Sequence, residues 1–256
     1  MSVCGIIAEF NPLHKGHKCI IDKAKESDNT VVCAISGNLT QRGDLAVISK
    51  QKRTEFALLC GADAVVEIPV LWSMSTAQNF ALGGVAQLVN AGCDEIVFGS
   101  ECGDIELLKK TADILESEDF KNQLADELSS GITFAAARQN AAVKCGADEN
   151  ILKNPNDILG IEYINAAKSL NSNINFRCIK REGAAHDSTD TSGDFVSAGL
   201  IRQYLTEGKI GFCERFMPSQ LRGLLSENMI SDTGFSKFPI TFWGLWDHLL
   251  KILYFL

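Results

Sequence analysis

Two of the chain's four histidines, His14 and His17, stand three positions apart in the stretch GIIAEFNPLHKGHKCII (residues 5–21), directly behind an apolar run. Between the run and the second histidine the order is Glu9, Phe10, Asn11, Pro12, Leu13, His14, Lys15, Gly16, His17. Pro12 stiffens a turn, Gly16 permits a close backbone approach, and a helix opening here turns its first amides toward an anion. Imidazoles three apart at such a helix start can face one pocket and donate hydrogen bonds to phosphate oxygens where charge builds up in a transition state. The pattern favours phosphate chemistry over proton abstraction. A zinc site is the rival, although a His pair with no third ligand in view is weak support for one; two surface histidines on a turn is the plain alternative.

Such side chains need elements that hold them at one edge. Short apolar runs recur at 3–10, 30–36, 63–69, 94–100 and 174–181, rich in Val and Ile and bounded by Gly, Asn, Asp or Pro; they predict strands buried on both faces. Segments 17–27, 50–60, 74–91, 105–116 and 157–170 have helical period and predict the crossovers between them. The alternation implies an α/β, Rossmann-like parallel sheet whose ligands bind beyond the carboxyl ends of the strands, where strand order reverses. The repeated CGAD (60–63 and 145–148) and the looser AGCD (91–94) read as Gly helix caps followed by an Asp that opens the next segment. From about residue 210 the strand signal stops and the text turns helical, which divides the chain into a domain over 1–210 and the start of a helical region over 211–256.

At 256 residues, with 46% hydrophobic and 22% charged residues, the chain has the make-up of a folded globular protein long enough for a sizeable core. A net charge of −8 excludes a surface coated in positive charge and confines any nucleic-acid contact to a local groove. Nine scattered cysteines without a CxxC pair suit reduced thiols in a cytosol, most of them small buried residues. No export signal opens the chain, and Asp247, His248 and Lys251 interrupt the apolar run 238–256, which reads as an amphipathic helix lacking its packing partner and not as a membrane span.

The stretch FNPLHKGH resembles the (D/N)PxHxGH signature of the nucleotidyltransferase superfamily, whose members bind ATP there and attack its α-phosphate. More closely, the chain resembles the bacterial tRNA(Met) cytidine acetate ligase family through GIIAEFNPLHKGH (5–17), SGNLTQRGDLA (36–46), GADAVVEIP (61–69), FGSECGD (98–104), PNDILGIEYI (155–164) and HDS (186–188). The resemblance implies activation of acetate by ATP to acetyl-adenylate, then transfer of acetyl to N4 of the wobble cytidine of elongator tRNA(Met). It implies His14 and His17 as the catalytic pair and a nucleotide contact along Ile7, Ala8, Glu9, Phe10, Asn11, Pro12, Leu13, His14, Lys15, Gly16, His17, Lys18, Cys19 and Ile20. Magnesium is expected with the nucleotide, held by the phosphates without a dedicated carboxylate cage. Family members run well beyond this length into a helical region that helps hold tRNA, so a shortened chain is expected.

Other segments join this site. Ser36, Asn38, Gln41 and Arg42 follow the second predicted strand and could line an acetate or phosphate site, or form a polar turn. Lys50, Lys52 and Arg53 begin a helix as a solvated face or as contacts for RNA phosphates. Gly99 closes the fourth strand, and the resemblance assigns it to the adenine or ribose. Asn156 follows Pro155 at a helix start, where it could cap the helix; the resemblance makes it a nucleotide contact too. Arg181 ends the fifth strand, suits phosphate, and matches an arginine used toward ATP; a surface salt bridge is its alternative. FVSAGLIRQ (195–203) resembles the superfamily's second signature, with Ser197 and Arg202 matching and Gly199 standing where Ser or Thr is usual. Ala185 precedes His186 where an aromatic is common. Two rival readings stay open: an adenylyltransferase that acts on a cofactor precursor, and an ATP-binding remnant unable to modify tRNA.

Overall fold

The computed structural model describes residues 2–181, 196–226 and 229–230; the HDS segment, Ala185 and the apolar run 238–256 lie outside them. The elements run β1 (Val3–Ala8), α1 (Lys15–Lys25), β2 (Thr30–Ser36), α2 (Lys50–Leu59), β3 (Ala64–Ile68), α3 (Val70–Ser73), α4 (Ala77–Asn90) and β4 (Glu95–Ser100). They continue with α5 (Ile105–Glu116), α6 (Glu118–Ser129), α7 (Phe134–Lys144), α8 (Pro155–Ser169), β5 (Asn175–Lys180), α9 (Ala198–Thr206) and α10 (Ile210–Cys213). The five strands form one sheet in the order β3-β2-β1-β4-β5, every neighbouring pair parallel. This is the α/β, Rossmann-like architecture expected from the alternation of apolar runs and helical segments.

The chain builds outward from β1 through β2 to β3, then crosses back so that β4 lies on the other flank of β1. Strand order reverses between β1 and β4, and the ladder is short there. β1 and β2 pair continuously from Val3–Thr30 to Ala8–Ile35, whereas β1 and β4 pair only at Cys4–Glu95 and Gly5–Ile96. The carboxyl halves of β1 and β4 therefore part, and a crevice opens at the switch point.

Two hydrophobic clusters cover the two faces of the sheet. One joins Cys4, Ile6, Val31, Cys33 and Ile35 to Ile21 and Ala24 of α1 and Phe56 and Ala57 of α2. The other joins Ile7, Val32, Ala34, Ile96 and Phe98 to α4, α5 and α8. Burial on both faces holds for β1, β2 and β4 but not for the edge strands, where residues such as Ala64, Glu67, Asn175 and Lys180 are exposed. An edge strand has a neighbour on one side only, and polar residues there discourage pairing with other chains.

The CGAD repeats cap helices as expected: Gly61 and Gly146 have φ of +105° and +93°. The Asp has a different task. Asp63 accepts the amide of Val31 at 2.7 Å, and Asp94 of the looser repeat accepts that of Val3 at 2.8 Å, so each ties the start of its own strand to the start of the neighbouring one. The predicted helix 74–91 is α4, which opens at Ala77 because Thr76 caps it through the amide of Asn79; the short α3 precedes it. Helices α6 and α7 were not anticipated, although Ser117 and Thr133 cap them in the ordinary way. The nine cysteines are free thiols, five of them buried and Cys19 exposed. No helix among the described residues is long and apolar enough to cross a membrane.

The expected boundary near 210 does not coincide with a gap in packing: Cys213, Phe216, Met217, Leu221 and Leu225 belong to the cluster that holds β1, α1, β2 and α2. Phe216 is 3% exposed. Phe216→Ala should therefore lower the stability of the whole unit by about 3–5 kcal/mol, read as an earlier midpoint of one urea transition; an unshifted main transition would show that residues beyond 210 fold apart from the sheet.

Candidate functional site: a histidine-capped helix at the switch point

Between β1 and α1 the chain makes an abrupt turn. Phe10 takes φ of +48° and the Asn11–Pro12 bond is cis. Three backbone and side-chain ties fix this turn. Asn11 Oδ1 accepts the amide of Val47 at 2.8 Å, the Asn11 carbonyl accepts Arg202 Nη1 at 2.9 Å, and Glu9 Oε1 accepts the amide of Gln41 at 2.7 Å. Phe10 and Leu13 are buried in the core, so the loop cannot swing without emptying two apolar positions.

His14 is the N-cap of α1, an uncommon residue for that position. Its Nδ1 accepts the amide of Gly16 at 3.1 Å, and His17 Nδ1 accepts the amide of His14 at 3.4 Å. The two side chains thereby satisfy amides that a helix start leaves without partners, as Ser and Glu do in a capping box. The rings stack with centroids 3.8 Å apart, and Phe10 meets His17 edge-on at 5.1 Å. Gly16 is required by space: a Cβ there would lie 2.9 Å from His14 Cε1.

The caps also settle the protonation state. Burial, with the charges of Arg181 and Arg202 behind it, pushes the His14 ring down to about 3. Burial, His14 and Arg181 hold His17 well below its ordinary value. Both rings are neutral at pH 7, and with each Nδ1 accepting, each proton sits on Nε2. The pair is thus two fixed neutral donors, suited to charge on phosphate oxygens and unsuited to taking a proton.

Arg181 continues the β4–β5 ladder through its amide to Ser100 O at 2.9 Å. Its aliphatic stem lies over Gly99, where an added Cβ would meet Arg181 Cγ and Ile20 Cδ1 each at 3.3 Å. Gly99 thus lets the arginine and α1 converge over the end of β4. Ser197 is the N-cap of α9, accepting the amide of Leu200 at 3.2 Å, and Arg202 of the same helix reaches the Asn11 carbonyl. The structure therefore brings His14, His17, Gly99, Arg181 and Arg202 together around one crevice. Within the run 7–20, Ile7, Phe10 and Leu13 are core side chains, Lys18 pairs with Asp22, and Cys19 is exposed; Ala8, Glu9, Asn11, Pro12, Lys15, Gly16 and Ile20 line the turn and the start of α1.

Two expected contacts are corrected. Arg53 is fully buried and cannot touch RNA phosphates. Its guanidinium donates to the carbonyls of Ile48 at 3.0 Å, Glu9 at 2.5 Å and Ser36 at 3.1 Å, and to that of Gly37. Burial lowers it only to about 10, so it stays a cation at neutral pH. A buried charge persists only when hydrogen-bonded, and here it gathers the ends of β1 and β2. Ser36, also fully buried, belongs to this knot and does not line an anion site. Asn38 Oδ1 receives the amide of Lys50 at 2.9 Å, Lys52 pairs with Glu55 at 2.7 Å, and Arg42 is exposed on a turn.

Asn156 does not cap α8; Asn154 occupies that position. Asn156 Nδ2 donates to Glu101 Oε1 at 2.6 Å, and Glu101 Oε2 accepts the amide of Asp157 at 3.1 Å. In return the buried Asp157 carboxylate accepts Ser100 Oγ at 2.5 Å and the amides of Glu101 and Cys102 at 3.0 and 3.2 Å. This two-way joint of FGSECGD with PNDILG was missed from sequence; the signal was an acidic residue in each motif, placed against the other's loop or helix amides.

A Rossmann-like sheet with an imidazole-capped helix at its switch point defines a nucleotide-handling α/β protein. The chain belongs to the HIGH nucleotidyltransferase family, whose description, HIGH Nucleotidyl Transferase, matches residues 1–253. It is 44% identical over 226 residues to a tRNA(Met) cytidine acetate ligase of Caldanaerobacter subterraneus, covering 85% of this chain and 56% of that protein. To one from Clostridium novyi it is 40% identical, covering 86% and 58%. It is similar to Thermotoga maritima TmcAL bound with alpha-thio ATP, at 35% identity and a TM-score of 0.80, over 91% of this chain and 57% of that one. The chain spans somewhat more than half the length of these relatives. Among the described residues no group of three His, Cys, Asp or Glu side chains could hold a metal ion.

The buried histidine has a consequence in acid. The unfolded ring takes up its proton near 6.5 and the folded His14 only near 3, so stability falls as pH is lowered through that window and is whole above it. His14→Asn keeps a good N-cap and removes the titration. Its unfolding free energy should vary less steeply between about pH 4 and 6, by roughly 1.4 kcal/mol per pH unit for the one proton; a slope equal to that of the natural chain would contradict the assigned state.

Proposed function

We propose that this chain activates acetate with ATP to acetyl-adenylate and serves the acetylation of N4 of the wobble cytidine in elongator tRNA(Met). The observation that carries the first half of this reading is the pair of neutral, Nε2-protonated imidazoles at the switch point with Arg181 beside them. Acetate attacks the α-phosphorus and pyrophosphate departs; His14 and His17 donate to the phosphate oxygens as charge crowds there, while Arg181 and Arg202 offset the charge of the chain of phosphates. The likeness to TmcAL bound with an ATP analogue supports the nucleotide. The second half, transfer to tRNA, rests on the similarity to the cytidine acetate ligases. Ser197 at the start of α9, Gly99 and Asn156 complete the nucleotide contact in this reading. Magnesium would accompany the triphosphate with the phosphates as its ligands, and would offset charge on the departing pyrophosphate. Asn38, Gln41 and Arg42, on the loop tied to Glu9, are the remaining acetate or RNA contacts, with Lys52 at its far end. The cytoplasm, with its reduced thiols and its tRNA, is the compartment.

Exchange of labelled pyrophosphate into ATP should depend on acetate. Exchange that needs nicotinamide mononucleotide or phosphopantetheine instead would replace this reading with a cofactor adenylyltransferase. Incubation with labelled acetate, ATP and elongator tRNA(Met) reads the second half, and acetyl-adenylate without acetylated cytidine would confine the chain to activation. His17→Ala should cut adenylate formation by about 100-fold or more, the loss typical of a transition-state donor, and an unchanged rate would remove His17 from the chemistry.

A further inference from the structure

Glu101 and Asn156 meet where the loop after β4 joins the first turn of α8. An ionised carboxylate only accepts, so the Asn156 atom 2.6 Å from Glu101 Oε1 is the amide nitrogen. Glu101 cannot turn away to release it, because its other oxygen holds the amide of Asp157 at 3.1 Å. Nor can the backbone of Glu101 shift, because the buried Asp157 carboxylate holds the amides of Glu101 and Cys102 and the hydroxyl of Ser100. The Asn156 amide is thus locked in one orientation, Nδ2 committed to Glu101 and Oδ1 on the opposite branch. The joint stands one residue past the end of β4 and two past Gly99, on the β4 side of the crevice.

We infer that Glu101 is a positioning residue that sets base specificity. By fixing the amide of Asn156 it presents Oδ1 as an acceptor to a purine bound in the crevice beyond the end of β4, which selects a 6-amino purine over a 6-oxo purine. This rests on the nucleotide reading of the crevice given above. A carbonyl oxygen receives the N–H of an exocyclic amine and repels the lone pairs of an oxo group; the reversed amide would offer donors and invert the preference.

Glu101→Gln tests this. The glutamine can still accept the amide of Asp157 through its carbonyl, and its own amide can donate to Asn156 Oδ1, so the joint keeps two hydrogen bonds while the Asn156 amide turns over. Affinities for ATP and ITP are measured by calorimetry, and the melting midpoint without nucleotide is recorded alongside. The natural chain should prefer ATP by about tenfold or more, the worth of one well-made or mis-made hydrogen bond. Glu101→Gln should lose that preference through weaker ATP and tighter ITP, with an unshifted midpoint. Asn156→Ala, which removes the acceptor and leaves the Asp157 contacts standing, should lose it through weaker ATP alone. A natural chain indifferent to the two triphosphates, or variants that keep its full preference, would overturn the assignment. A natural chain that binds neither would remove the nucleotide reading itself and this assignment with it, an outcome distinct from binding both equally.

Discussion

The reciprocal cap between His14 and His17 is the constraint on which the rest of the site depends. A helix start leaves amides without partners, and in most helices Ser, Thr, Asp or Asn receives one of them. Here two imidazoles do so through Nδ1. The choice has three consequences at once. It fixes both rings relative to the helix, it assigns their protons to Nε2, and it sets them at the positive end of the helix dipole. Burial and the nearby arginines then keep the rings uncharged. A cap that is ordinarily a matter of helix stability becomes a matter of chemistry, because what remains of each side chain is one aimed donor.

The sheet exists, for this purpose, to hold that helix start against the end of β4. Because β1 and β4 share only two residue pairs, the crevice is part of the topology and requires no cavity among packed side chains. Its walls are stiffened from behind. Arg53 gathers the carbonyls at the ends of β1 and β2, Arg202 holds the turn at Asn11, and Glu101 with Asp157 locks the loop after β4 to α8. A buried guanidinium and a buried carboxylate are costly unless fully hydrogen-bonded, and both are spent at strand ends, where loops would otherwise move. That pattern fits a site in which misplacement by an ångström matters more than global stability.

The sheet and the histidine turn were legible in the sequence because their signals are local. Apolar runs of seven or eight residues read as strands, and Pro12, His14, Gly16 and His17 each sit where a single residue type is required. The buried roles of Arg53 and Ser36 were not legible. A Lys-rich helix start at 50–53 looks solvated until the fold shows that one of its cations faces inward, and nothing in the spacing distinguishes Arg53 from Lys52. Helices α6 and α7 carry only a local mark, the caps Ser117 and Thr133, with no apolar strand between them to set them apart as crossovers. The extent of packing past 210 was hidden for a different reason: Phe216 and Met217 join a cluster that includes Cys4, Ile35 and Phe56, more than a hundred positions earlier, and long-range burial leaves no local mark.

The central claim is a statement about where two protons sit, and nitrogen NMR reads it directly. In long-range proton–nitrogen correlation spectra of uniformly labelled protein near pH 6, with His14 and His17 assigned through single variants, both rings should show the neutral Nε2–H tautomer, with Nδ1 at the shift of an unprotonated acceptor. An imidazolium at either position, or the Nδ1–H tautomer, would contradict the account.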